Sequence, residues 1–207
     1  FSLATYIGVA TDVAVSGNVA TIDYYLEVFG SSTYSNLSLD SSLDALFGAG
    51  NYTITAPPAF IDDPGTITLS GSYDGSADTE LFSSSSTLAT GDTAQIQLAV
   101  TLSAFSSEQN VGSGLGNFSH QVVLTGDNAT GDTYVDLSHT GTDPDPGGDD
   151  NPSESTTTSF TITPDAFVGA GLVASVSGTQ VTFDIYLEGF YTGTVSNLSL
   201  PMDLDTI

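Results

Sequence analysis

The chain has 207 residues, with 25 Asp and Glu, two His and no Lys, Arg, Cys or Trp, giving a formal net charge of −25. That balance excludes nucleic acid and anionic membrane surfaces as partners, since both are held by basic side chains. It also excludes disulfides, thiolate metal sites and Lys–Asn isopeptide links, so any assembly must be non-covalent. With 39% apolar residues, 11 Phe and 9 Tyr, a β-type core remains within reach and wholesale disorder is not expected.

The first clear element is "TIDYYLEVF" (21–29). Ile22, Tyr24, Leu26 and Val28 alternate with Asp23, Tyr25, Glu27 and Phe29, which predicts a half-buried strand with the second set facing outward. "SSLDALFG" (41–48) has room for one helical turn. Strands are expected at 51–56 and 66–70. "AQIQLAVTL" (94–102) alternates cleanly after the turn signal "TGD" (90–92), and further strands are expected at 118–125, 133–139 and 158–163. Between the last two lies "GTDPDPGGDDNPS", where three prolines and the Gly147–Gly148 pair forbid regular structure and the acids disfavour burial. Residues 141–157 therefore read as an acidic linker. Seven or more short strands with such punctuation predict an all-β fold, an immunoglobulin-like antiparallel β-sandwich. No apolar run approaches the roughly 18 residues that span a membrane, so no membrane insertion is expected. The chain opens on Phe1, without initiator Met or signal peptide, as a processed or excerpted product would.

Residues 162–207 repeat residues 1–46 without a gap, with 18 of 46 positions identical. "VSGNVATIDYYLEVFGSSTYSNLSL" aligns with "VSGTQVTFDIYLEGFYTGTVSNLSL", and many mismatches exchange like for like, as Tyr6 with Phe167. A period of this size belongs to a tandem domain rather than a solenoid. The expected organisation is a sandwich repeat at 1–140, the linker at 141–157, and a partial second repeat at 158–207. That partial copy holds about three strands of a domain that needs seven or more, too few to bury a core alone. Its apolar face is expected to be covered by a neighbouring copy.

The linker supplies the best ligand candidates. Asp143, Asp145, Asp149, Asp150 and Asn151 place many oxygens in a turn-rich loop of the kind Ca²⁺ favours, although the spacing is not that of an EF-hand. The alternative is a solvated acidic spacer. Asp62/Asp63 and Asp127/Asp132 read as turn formers. Five sequons, at Asn36, Asn51, Asn117, Asn128 and Asn197, are candidate glycosylation sites, and Asn36 and Asn197 share a repeat position. His120 and His139 fall in expected strands, outside any triad or metal spacing. "GSGLG" (112–116) resembles a phosphate loop in letters only, because no helix follows it. Tyr25 and Tyr186, in phase on the outer face, suit a contact between sheets or subunits. No catalytic residues are expected.

Three segments, "TIDYYLEVFGSSTYSNLSLDSSL", "YDGSADTELFSSSSTLATGDTAQIQLAVTL" and "GTDPDPGGDDNP", resemble the tandem "conserved repeat" domains of very large bacterial cell-surface proteins. The resemblance covers most of 6–152 and restarts near 165. It implies an extracellular β-sandwich array used in adhesion, surface layers or fibres, and implies no enzyme. The complete lack of basic residues departs from that family's pattern. The functional expectation is a structural subunit of an extracellular or cell-surface fibre or pilus-like filament. It would assemble from copies of itself, head to tail, through β-strand contacts of the C-terminal segment, with Ca²⁺ and glycans as candidate additions. The alternative is an excerpt of a long tandem-repeat adhesin stalk.

Overall fold

A two-residue turn sets the first element. Gly17 has φ +60°, a conformation costly for residues with a Cβ, and joins β1 (Tyr6–Ser16) to β2 (Val19–Phe29). Ser16 faces Val19 and the pairing runs without a break to Tyr6 opposite Phe29. The computed structural model describes residues 5–102, 116–163, 167–190 and 194–201. It divides into two units, Phe1–Thr163 and Pro164–Ile207.

In the first unit β2 pairs antiparallel with β5 (Thr93–Leu102), and β5 pairs with β4 (Tyr52–Asp62). β4 is an edge strand and runs past the 51–56 expected for it. It passes through Pro57 and Pro58 with shifted register on either side, which only an edge position tolerates. The short β9 (His139–Thr140) lies parallel to β1, so the sheet order is β4-β5-β2-β1-β9. A second sheet has the order β3 (Ser35–Asp40), β7 (Val123–Asp127), β8 (Thr133–Leu137). β6 (Asn117–His120) pairs with β10 (Thr158–Thr161). The strand expected at 118–125 is thus two strands, broken at Gln121–Val122. The segment 66–70 forms an isolated bridge, Leu69 with Phe82, instead of a strand. One helical turn, α1 (Leu43–Phe47), is capped by Ser42, whose hydroxyl accepts from the Ala45 N–H.

The core follows the alternation. Ile22, Leu26, Ile96, Leu98 and Val100 from the five-stranded sheet cluster with Leu37, Leu39 and Leu124 of the second sheet, and all are buried. Phe118 lies 5.1 Å from Phe47 and stacks on Phe160 at 5.5 Å. Each such ring contributes about 2–3 kcal/mol by burial. Phe160 and the buried Ile162 belong to this core, so the first domain runs to Thr163 and not to residue 140. The fold is an all-β sandwich of antiparallel sheets, as expected.

The segment 141–157 is not a free linker. Pro144 and Pro152 are buried and sit over Gly8, where an added Cβ would lie 3.0 Å and 2.6 Å from their Cβ atoms. A proline-rich acidic loop can pack when the sheet beneath it offers a residue without a side chain.

The second unit contains β11 (Phe167–Ser177) and β12 (Gln180–Phe190), joined through Gly178 at φ +63°. Ser177 faces Gln180 and Phe167 faces Phe190. These bounds and this register equal those of β1 and β2 displaced by 161 residues.

Candidate functional site

Two features have chemical or assembly potential: the acidic loop of the first unit and the hairpin of the second. In the loop, Asp145 organises the chain. Its carboxylate accepts the Gly148 N–H at 3.1 Å and the Asp150 N–H at 2.8 Å, and the side chain is buried at 5% exposure. Asp143 accepts from the Asp145 N–H and Asp149 from the Asn151 N–H. Asp150 adopts φ +60°, and the Asn151 amide donates to the Ser153 hydroxyl.

Of the expected ligands, the structure groups Asp145 and Asp149, and it adds Glu154: one carboxylate oxygen from each lies within 4.8 Å of the others. Asp143 and Asp150 lie outside that group, while Asn151 lines a neighbouring cleft of about 370 Å³ with Tyr6, Tyr134 and Asp136. Glu154 Oε2 is shielded from solvent and has no hydrogen-bond partner among the described residues. A buried carboxylate oxygen without a donor is costly, and a divalent cation would satisfy it. Bound through one oxygen each, three carboxylates supply about half or less of the six to eight oxygens that Ca²⁺ takes, leaving carbonyls and water to complete a shell.

The surrounding field is uniformly negative. Burial pushes the Glu27 carboxyl above its usual range, and Asp143, Asp145 and Asp150 push it further. Asp136 is raised to about 7, chiefly by burial, with Glu154 adding; the Val9 N–H, which donates to its Oδ2 at 2.8 Å, and the Leu137 N–H pull the other way. Sequence reasoning missed Glu27, which β2 brings from far along the chain, and Asp136, which β8 carries just before the loop. Glu154 stood only three residues past Asn151, within the same 141–157 stretch read as an acidic linker.

The remaining candidates serve the fold. Asp63 accepts from the Gly65 N–H and Asp62 from the Thr93 hydroxyl. Asp127 accepts from Thr133 and from the Asn36 amide, and Thr130 donates to Asp132, so Asp63 and Asp132 close turns while Asp62 and Asp127 tie strand ends to their neighbours. His120 is buried against Tyr24, 3.3 Å from its hydroxyl, and desolvation lowers its pKa to about 4. His139 has a buried Nδ1 without a partner among the described residues. Apart from Gly116, the 112–116 stretch lies outside the described residues.

Among the sequons, Asn36 and Asn197 are exposed and share a left-handed backbone, φ +52° and +58°. Asn tolerates that region better than other residues with a Cβ, which gives the repeated "SNLSL" a conformational reason. The Asn51 amide donates to the Phe47 carbonyl, the Asn117 carbonyl accepts from Thr161, and the Asn128 carbonyl closes its own turn.

The outer face of the first hairpin carries a cluster that the alternation pattern alone presented as solvated. Asp23 is 8% exposed and accepts from the amides of Gln95 at 3.0 Å and Gln97 at 3.0 and 3.2 Å. The Gln95 amide also donates to the Tyr25 hydroxyl. On the second hairpin Asp184 is exposed and Tyr186 is 62% exposed.

The apolar side of that hairpin is open too. Ile185, Leu187, Leu198 and Leu200 are 44–60% exposed, whereas Tyr24, Leu26, Leu37 and Leu39 are at most 2% exposed. An apolar groove of about 210 Å³ is lined by Ala170, Leu172, Ile185, Leu200 and Pro201. Among the described residues no helix is long and apolar enough to cross a membrane. Comparison of the chain with protein-family models and with curated proteins yields no match.

Proposed function

We propose that this chain is a structural subunit of an extracellular, cell-surface fibre or pilus-like filament. It assembles non-covalently and head to tail through β-strand contacts of its C-terminal segment, and has no catalytic role. One observation carries the reading. The hairpin β11–β12 reproduces β1–β2 in length and register while exposing the apolar residues whose counterparts form the core. A hairpin of this kind is marginal in water, and a contact that covers it from a neighbouring copy does not close on itself, so it propagates.

Ca²⁺ at Asp145, Asp149 and Glu154 would stiffen the loop that rests on Gly8 and relieve the repulsion around Glu27. Asn36 and Asn197, exposed at equivalent positions, are the sequons best placed to carry glycans. The sandwich is read as immunoglobulin-like within this assembly. The test is electron microscopy of purified chain with and without a calcium chelator, beside a form ending at residue 163. Filaments that vanish on truncation support the reading; filaments unchanged by truncation, or a monodisperse monomer at high concentration, overturn it.

The second reading is an excerpt of a long tandem-repeat adhesin stalk, favoured by the domain-length offset and by the first domain running to Thr163 with the repeated hairpin following at Phe167. A native polypeptide several times longer, seen by mass spectrometry, would establish it in place of the first.

A further inference from the structure

We infer that the free edge of β12 is a receptor for one strand of defined chemistry: an antiparallel strand with the apolar–Gln–apolar–Gln alternation of β5, supplied from outside residues 1–207. This rests on the proposed β-strand contacts of the C-terminal segment and names the strand chemistry that completes them.

The first hairpin shows how such an edge is filled. β5 lies against β2 with Gln97 opposite Asp23, Gln95 opposite Tyr25, Leu98 opposite Ile22 and Ala94 opposite Leu26. The inward pairs bury apolar surface. On the outward face two amides satisfy one carboxylate and one hydroxyl, with Gln95 shared between them. In a chain with no Lys or Arg, a carboxylate on a covered sheet face has only neutral donors to call upon, and the Gln pair supplies them.

β12 retains the acceptors and lacks the donors. Asp184, Tyr186 and Leu187 repeat Asp23, Tyr25 and Leu26, with Phe183 in the place of Ile22. β12 pairs only with β11 in a two-stranded sheet, which leaves its other edge of N–H and C=O groups without a strand partner among the described residues. The pattern Gln-x-Gln occurs once in the chain, at 95–97, and that strand is held on both edges by β2 and β4. The strand that completes β12 therefore lies outside residues 1–207. The edge also selects against alternatives: a strand with acids at the Gln positions would set like charges against Asp184.

The test titrates a fluorescent peptide of residues 90–102 (TGDTAQIQLAVTL) into the full 207-residue chain and follows anisotropy. A second peptide carries Gln95→Glu and Gln97→Glu. Saturable binding is expected, weakened by about tenfold or more for the Glu peptide and for the Asp184→Ala chain, and less for Tyr186→Phe. Near-UV circular dichroism of Asp184→Ala should match the parent, since the first unit is untouched. No saturation, equal affinity for the two peptides, or unchanged affinity of Asp184→Ala overturns the inference. Micrographs of the same samples separate the two readings. Filaments without peptide discrimination sink the strand assignment alone, while discriminating binding by a chain that never polymerises sinks the filament alone.

Discussion

Leu26 and Leu187 hold the same place in two hairpins of the same length and register, yet one is 1% exposed and the other 57%. The contrast separates what a hairpin makes for itself from what it is given. Turn and pairing are local: Gly17 and Gly178 supply the positive φ, and alternation fixes the register. Burial is supplied from far along the chain, by β5, β7 and β10 for the first hairpin. The second displays the same face with no such cover among the described residues.

The sharpest way to break this contrast is a pair of truncations. Leu26→Ala should cost about 2–5 kcal/mol, as buried Leu deletions do. Leu187→Ala should stay within about 0.5 kcal/mol in urea titrations of the isolated chain followed by tyrosine fluorescence. Equal costs would mean that the second hairpin is already packed. Next comes Asp23→Ala, which strands two Gln amides and should cost about 1–3 kcal/mol, against almost nothing for Asp184→Ala in the same measurement.

The left-handed asparagines form a third pair. Asn36→Ala is expected to lose about 1–2 kcal/mol, because φ is positive there and the bond to Asp127 disappears. Asn36→Gly should lose less, and Asn197→Ala should leave the unfolding midpoint unmoved.

The gentlest test is pH. Asp136 moves from its usual 3.8 to about 7 in the folded chain, and Glu27 shifts in the same direction. Between those values the folded state binds more protons than the unfolded one. The stabilisation from protonation is complete below 3.8 and is lost as pH rises through about 7. The urea midpoint should therefore fall across that window, less steeply in Asp136→Asn. Added Ca²⁺ at pH 8 should raise the midpoint again, and Glu154→Gln should abolish that rise.

Much of the sandwich was legible because its strands alternate: β2, β5 and the single turn of α1 stand where the pattern puts them. Other features depend on partners that a local window does not contain. The 141–157 loop has the composition of a spacer, and what packs it is Gly8, far away in sequence. Asp23 sits at an outward position, as its alternation says, but alternation assigns a face and not its solvent; Gln95 and Gln97 cover it. β4 was cut short at Pro57 because only the sheet order reveals an edge strand. Of the acidic group, Asp145 and Asp149 were visible as a dense run of oxygens. Glu154 completes the group only when the loop folds back, and Glu27 and Asp136 arrive on strands.

The pairing of β5 with β2 also sets a clock. During synthesis, at about 5–20 residues per second, β5 is complete seconds before β12 exists, while hairpins form in microseconds. The first hairpin thus claims β5 unopposed and ties it down through Asn18, whose side chain and carbonyl both hold Leu102. Thr179, in the equivalent place, has no amide with which to copy the clasp. Refolding from denaturant removes that head start and sets two like edges competing for a single strand. Chain renatured in vitro should therefore contain strand-exchanged species that newly made chain does not.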